Sequence, residues 1–182
     1  MKKNIFYLSI LLFFTFIFAI FYISLDKPNF YKPKEVKNKN LEEFTSTELF
    51  SNKQFSSKDI IENNNFTLIN IWSSWCAPCR SEHAILMNLG KKTDLNIIGL
   101  NYKDKKNNAI KFLDELGNPY SKNLIDPDGI ISISLGAYGV PESFLLNNKS
   151  RIIKKYIGPL TSDNISEIIK ILKCRDSLNI YY

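Results

Sequence analysis

The chain opens on 21 uncharged residues in a row, Ile5 to Leu25, drawn mostly from Leu, Ile, Phe and Tyr. At about 1.5 Å of rise per helical residue, such a run reaches the thickness of a bilayer core. Apolar side chains cover its whole circumference, the pattern of a membrane span and not of a helix half-buried in a soluble core. The competing reading is a cleaved signal peptide, which has a shorter apolar stretch and an A-x-A-like cleavage site. Here Ala19 stands between Phe18 and Ile20, so residues 1–25 are read as a retained transmembrane anchor. Residues 26–40, DKPNFYKPKEVKNKN, hold two Pro and many Lys and Asn with no apolar periodicity. They read as a flexible linker.

From residue 41 to 182 the pattern is that of a single domain in which strand and helix signals alternate. Residues 67–72, TLINIW, form a short apolar β-type run. A helix is predicted over about 77–90, with Ile85, Leu86 and Leu89 on one side. Residues 95–101 make a second buried strand, and Ala109, Ile110, Leu113 and Leu116 mark a helix over about 105–116. A short strand at 122–125 ends in Asp126-Pro127-Asp128-Gly129, which is turn chemistry. Two β-like runs, 143–147 and 151–157, are separated by Asn148-Lys149-Ser150 and predict a hairpin. A last helix at about 162–173 shows a stripe of Ile165, Ile168, Ile169 and Leu172. This alternation predicts an α/β fold, a central mixed sheet with helices on both faces, parallel in its first part and closed by an antiparallel hairpin.

Charge changes the picture by its location. The formal net charge is +6, but Lys2 and Lys3 give +2 of it, residues 26–40 give +3, and residues 41–182 give only +1. A nucleic-acid-binding domain would concentrate the excess on itself, so no nucleic-acid partner is expected.

The chemistry lies in Cys76-Ala77-Pro78-Cys79, where strand 67–72 gives way to a helix. Unpaired N–H groups and the macrodipole at a helix N-terminus stabilise the thiolate that attacks disulfides. Cys76 is therefore the expected nucleophile. The two-residue spacing brings Cys79 round as the resolving thiol, and the pair can close as a redox-active disulfide. Pro78 is tolerated in the first helical turn, where its missing N–H would have had no partner. Half of a zinc site is the alternative for such a pair. It needs two more ligands, and the chain offers only Cys174 and His83, with no second CxxC. No metal or other cofactor is expected.

The stretch INIWSSWCAPCRSE, residues 69–82, resembles the active-site segment of thioredoxin-like proteins. The wider pattern is similar to one branch, the membrane-anchored thiol:disulfide interchange proteins of cytochrome c biogenesis, of the DsbE (CcmG) type. The segments that carry the resemblance are GLNYKD at 99–104, LGNPY at 116–120, DPDG at 126–129, LGAYGVPESF at 135–144 and GPL at 158–160. They cover about residues 65–160 in the family's order. The resemblance implies a thioredoxin-like fold and a reductase in the periplasm, anchored in a bacterial inner membrane with its N-terminus in the cytoplasm. It implies reduction of the CxxCH cysteines of apocytochrome c, or of their mixed disulfides, before haem attachment. The implied partners are apocytochrome c, the haem-attachment machinery and a membrane electron donor that re-reduces the dithiol.

The resemblance also assigns supporting residues. Trp75, Ala77, Pro78, Val140 and Pro141 are expected to form the substrate groove, with Val140-Pro141 as a cis bond facing the dithiol and the Val140 backbone pairing with an extended substrate. Glu82 and Glu142 are expected to tune the thiol pKa values upward by like charge. Either one taken alone reads equally well as a solvated surface carboxylate. Asn70 stands where ordinary thioredoxins have a buried acid. Trp72 is read as core, and Tyr102 and Tyr138 as candidate groove residues. His83 is read as surface or helix-packing, not as a general base. Ala84 stands where the family often has Pro, and allows a straighter helix. By its phase on the last helix, opposite the Ile165/Ile168/Ile169/Leu172 stripe, Cys174 is expected outside the core as an inert, shielded thiol, with intermolecular pairing in an oxidising compartment as the alternative. Three other readings remain open at this point: a tethered reductase for a different substrate, a non-catalytic thioredoxin-fold module that docks peptides or holds copper, and an oxidase, because a CxxC sequence alone does not set the potential.

Overall fold

The computed structural model describes residues 2–25, 39–61 and 64–176. The linker expectation at residues 26–38 and the last six residues of the 41–182 domain lie outside them. The first unit is one helix, α1 (Lys2–Leu25). Its segment Lys3–Ile23 has a mean hydropathy of 2.4, long and apolar enough to cross a membrane by length and composition.

The second unit is built on a five-stranded sheet of order β5-β4-β3-β6-β7. Its strands are β3 (Phe66–Trp72), β4 (Asn96–Tyr102), β5 (Lys122–Asp126), β6 (Glu142–Asn147) and β7 (Ile152–Ile157). β3 pairs parallel with β4 and antiparallel with β6. It sits at the centre with helices on both faces, and all seven of its residues are buried, as its continuous apolar run requires. Alternate residues of β3 feed two cores. Phe66, Leu68 and Trp72 join Leu86 and Leu89 of α3 (Ala77–Lys92), Phe112 of α4 (Lys106–Leu116) and Ile168 of α6 (Ser162–Asp176). Ile69 and Ile71 join Ile60 and Ile61 of α2 (Ser57–Ile61) and Leu135 of α5 (Ile130–Leu135). The predicted mixed sheet and its closing hairpin are therefore present, within one or two residues at each boundary.

Four short elements escaped the pattern reading: the two strands of a hairpin, β1 (Thr45–Thr47) and β2 (Gln54–Ser56), and the helices α2 and α5. The hairpin lies against the outer edge of β5, with Leu49 N–H on Asn123 O at 2.7 Å and Ser46 Oγ on Ile125 O at 2.7 Å. It covers a strand edge that would otherwise be open to pairing with another chain.

Candidate active site

β3 delivers the chain to a loop, Ser73–Cys76, that is tied down before the helix begins. Asp104 receives Ser74 N–H at 2.6 Å, Ser74 Oγ at 2.8 Å and Asn101 Nδ2 at 3.0 Å. Ser73 Oγ donates to Tyr102 O, and Trp75 Nε1 donates to Lys103 O at 3.0 Å. The loop after β4 thus holds the loop that presents the cysteines.

Cys76 is the N-cap of α3, and its sulfur accepts Cys79 N–H at 3.1 Å. This is the amide-to-sulfur contact expected of a thiolate site at a helix N-terminus. Cys76 and Cys79 form a disulfide with an S–S distance of 2.06 Å and Cα atoms 5.3 Å apart. Cys76 is more covered than a nucleophile read from sequence suggests, at 4 % exposure against 2 % for Cys79. The residues around it are open: Trp75, Ala77 and Pro78 are all exposed.

The Val140–Pro141 peptide is cis. Ile71 pairs with Glu142 across β3 and β6, so Pro141 comes level with Trp72, where the cysteine loop leaves β3. Val140 is half-buried and packs on the cluster that contains both cysteines. Pro141 O receives Gly158 N–H at 3.0 Å.

The two glutamates correct the solvated reading: Glu82 is 1 % and Glu142 2 % exposed. Glu82 Oε1 accepts Asn70 Nδ2 at 2.9 Å and Oε2 accepts Leu160 N–H at 2.7 Å. Burial pushes its carboxyl above the usual carboxylate range, against the pull of those two donors. Asn70, fully buried in the middle of β3, also donates to Ser143 Oγ at 3.0 Å and accepts Tyr120 Oη–H at 2.8 Å. Burial, then the charge of Glu82, holds the Tyr120 phenol well above its usual value. Glu142 Oε1 accepts the N–H groups of Tyr138 (2.9 Å) and Gly139 (3.2 Å), and Lys155 Nζ lies 2.8 Å from Oε2. Glu142 is thus half of a buried ion pair and not an open acid.

Of the remaining expectations, Trp72 is core, stacked on Tyr120 with ring centroids 5.7 Å apart. Tyr138 is exposed and Tyr102 half-buried. His83 packs edge-on against Phe112 and its Nε2 lies 2.8 Å from Gly117 O. Burial lowers its pKa, which agrees with a packing role. α3 runs unbroken through Ala84. Cys174 is exposed on α6 and not shielded. Sequence reasoning had given no role to Asp104, Tyr120, Ser143 or Lys155. Asp104, Tyr120 and Ser143 were within reach, since all three stand in the segments that carry the family resemblance, whereas Lys155 does not.

The Redoxin family profile matches residues 36–172. Thiol:disulfide interchange protein CycY of Rhizobium leguminosarum bv. viciae is 46% identical over 109 residues, 60% of this chain and 59% of that protein. Thiol:disulfide interchange protein DsbE of Allochromatium vinosum is 34% identical over 143 residues, 79% of this chain and 78% of that one. Among solved structures, a DsbF homologue from Corynebacterium diphtheriae superposes with a TM-score of 0.64 at 24% identity, over 79% of this chain and 95% of that one. That last likeness speaks for the fold alone. The chain spans about three fifths of the length of the first curated relatives it matches. A cysteine pair closed at the head of α3, and matches that run across the folded domain, make this chain a member of the Redoxin family, in the branch of the DsbE-type thiol:disulfide interchange proteins.

Proposed function

We propose that the chain is a membrane-anchored thiol:disulfide oxidoreductase that works as a reductase in cytochrome c maturation. The observation that carries this reading is the Cys76–Cys79 disulfide at the N-terminus of α3, with Cys79 N–H on the Cys76 sulfur and a cis Pro141 level with the cysteine loop. The names of the CycY and DsbE relatives support thiol:disulfide interchange as the reaction.

In the reduced protein the Cys76 thiolate attacks one sulfur of a target disulfide. A mixed disulfide forms and one target sulfur leaves as thiolate. The Cys79 thiolate then attacks Cys76 Sγ, releases the second target thiol and closes the Cys76–Cys79 bond. Two electrons pass to the target, and a membrane dithiol donor restores them. The target is the CxxCH pair of apocytochrome c or its mixed disulfide, which must be reduced before haem is attached. An extended target segment lies along Trp75, Ala77 and Pro78 and pairs with the Val140 backbone before Pro141. Glu82, one helical turn beyond Cys79, adds negative charge behind the dithiol and moderates its reactivity. Residues 1–25 anchor the protein in a bacterial inner membrane, residues 26–40 tether it, and residues 41–182 act in the periplasm. No resident cofactor takes part.

A Cys79→Ala chain cannot resolve its mixed disulfide and should accumulate a Cys76-linked adduct with a CxxCH protein, read on a non-reducing gel by mass spectrometry. Adducts only with other proteins would transfer the reading to a tethered reductase for a different substrate. The couple should be poised at roughly −200 to −270 mV or below, and a value near −120 mV, the range of strong oxidants, would overturn the reductase assignment.

A further inference from the structure

The loop from Gly136 to Pro141 forms the rim of the site, yet no strand ladder holds it, because β6 begins at Glu142. Backbone bonds hold its two ends, Gly136 N–H on Ile133 O at 2.9 Å, Ala137 N–H on Ser132 O at 2.9 Å and Gly158 N–H on Pro141 O at 3.0 Å, and two charged side chains buried behind it tie the stretch between. Lys155, on β7, pairs across the ladder with Phe144 of β6. Its side chain is 8 % exposed and that of Glu142 is 2 % exposed. Lys155 Nζ donates to Gly136 O at 2.8 Å, approaches Glu142 Oε2 at 2.8 Å and lies 4.2 Å from the centroid of the Tyr138 ring. Apart from this ion pair, Glu142 Oε2 has no hydrogen-bond partner among the described residues. From the other side, Glu142 Oε1 takes the Tyr138 and Gly139 N–H groups. The pair therefore holds the loop at four points: one carbonyl, two amides and one aromatic face.

We propose that Lys155 is a positioning residue for the substrate: together with Glu142 it forms a buried, charge-balanced clasp that sets the loop before Pro141 and so the surface an incoming peptide meets. This rests on the reading that the chain reduces peptide disulfides, and it adds to it a residue outside the groove. Each charge has a reason to be buried. A carboxylate with two amides on one oxygen still carries a full charge, which the ammonium balances. An ammonium on the Tyr138 ring fixes that side chain by one face, while 53 % of the residue stays exposed to a partner. The clasp acts on where the peptide docks, while the sulfur chemistry at Cys76 is left alone. It belongs to KM and not to kcat.

The test uses the full chain in detergent micelles with two probes, a synthetic peptide carrying an oxidised Cys-Xaa-Xaa-Cys-His loop, and insulin. The variants are E142Q/K155M, which removes both charges and strands neither, and K155R, which keeps a cation. The double variant should raise KM by about tenfold, with kcat within about twofold and the Cys76–Cys79 potential retained. K155R should restore KM to within about threefold. A double variant with the wild-type KM overturns the clasp, as does a loss confined to kcat. If the wild-type chain reduces insulin but leaves the peptide oxidised, the cytochrome reading falls and the clasp is judged on insulin. If it reduces neither, both fall.

Discussion

Two glutamates with the same burial flank the strands that carry this site, and they are satisfied in opposite ways. Glu82, on α3, meets only neutral donors, the Asn70 amide and the Leu160 N–H. Glu142, at the start of β6, meets two amides and the ammonium of Lys155. Burial penalises the charge on Glu82, whose carboxyl is accordingly held above its usual range. The Glu142 charge is balanced by a cation that is itself buried. Residue type and exposure therefore do not determine what a carboxylate does. On the inner face of the cysteine helix it is a group that can take up a proton. Behind the cis-proline loop it is half of a structural tie.

The strongest way to break this contrast is to remove the cation alone. Lys155→Met leaves the Glu142 carboxylate buried without its counter-charge, a change that costs about 3–5 kcal/mol. Against a domain stability of about 5–15 kcal/mol this is a large share. Urea unfolding followed by tryptophan fluorescence should show it as an early midpoint, and the E142Q/K155M double variant should recover much of the loss. A Lys155→Met chain within about 1 kcal/mol of wild type would mean that Glu142 is satisfied by its two amides.

The sequence made the frame of this contrast legible and hid its content. Strand 67–72, the helix after it and the final hairpin were readable because an apolar run, a helical stripe and a turn triplet are local patterns. The cysteine pair was readable because its spacing and its place at a strand–helix junction are local too. The β1–β2 hairpin was not, since three-residue strands carry no period. Nor was α5, whose IISISL is too short to separate helix from strand. The burial of Glu82 and Glu142 was hidden for another reason: each has a partner brought in from another element, Leu160 for one and Lys155 for the other. Leu160 lies 78 residues from Glu82, and Lys155 reaches Glu142 only because β7 folds back on β6. Even the low exposure of Cys76 depends on neighbours brought in from other segments.

A smaller effect of opposite sign is expected at the other carboxylate. Because the folded pKa of Glu82 is raised, the folded protein keeps that proton to higher pH than the unfolded chain does. Its contribution to stability is therefore greatest in acid and is lost as pH rises from the ordinary glutamate range through the raised folded value. Glu82→Gln imitates the protonated form. It should flatten that decline and leave the protein at neutral pH within about 1 kcal/mol of wild type, on the stabilised side. Unfolding curves across the acidic to neutral range measure both. A loss of about 2 kcal/mol or more would show that the second oxygen, on Leu160 N–H, outweighs the relief of buried charge.

The smallest effect sharpens the contrast by taking burial away. Arg80, between the resolving cysteine and Glu82 on α3, pairs with Glu115 of α4 at 2.9 Å, with side-chain exposures of 45% and 55%. Its guanidinium also lies 5.0 Å from the centroid of the Phe112 ring. Glu115→Gln removes the charge pair and leaves the stacking in place. Solvent screens such a pair and side-chain entropy offsets its attraction, so the expected loss is about 0.5 kcal/mol or less, and smaller still at high salt. Arg80→Ala removes pair and stacking together and should cost about 1 kcal/mol. The difference between the two variants then isolates the aromatic contact. If Glu115→Gln alone cost as much as Lys155→Met, the charge itself and not its burial would set the magnitude, and the contrast between the glutamates would lose its physical basis.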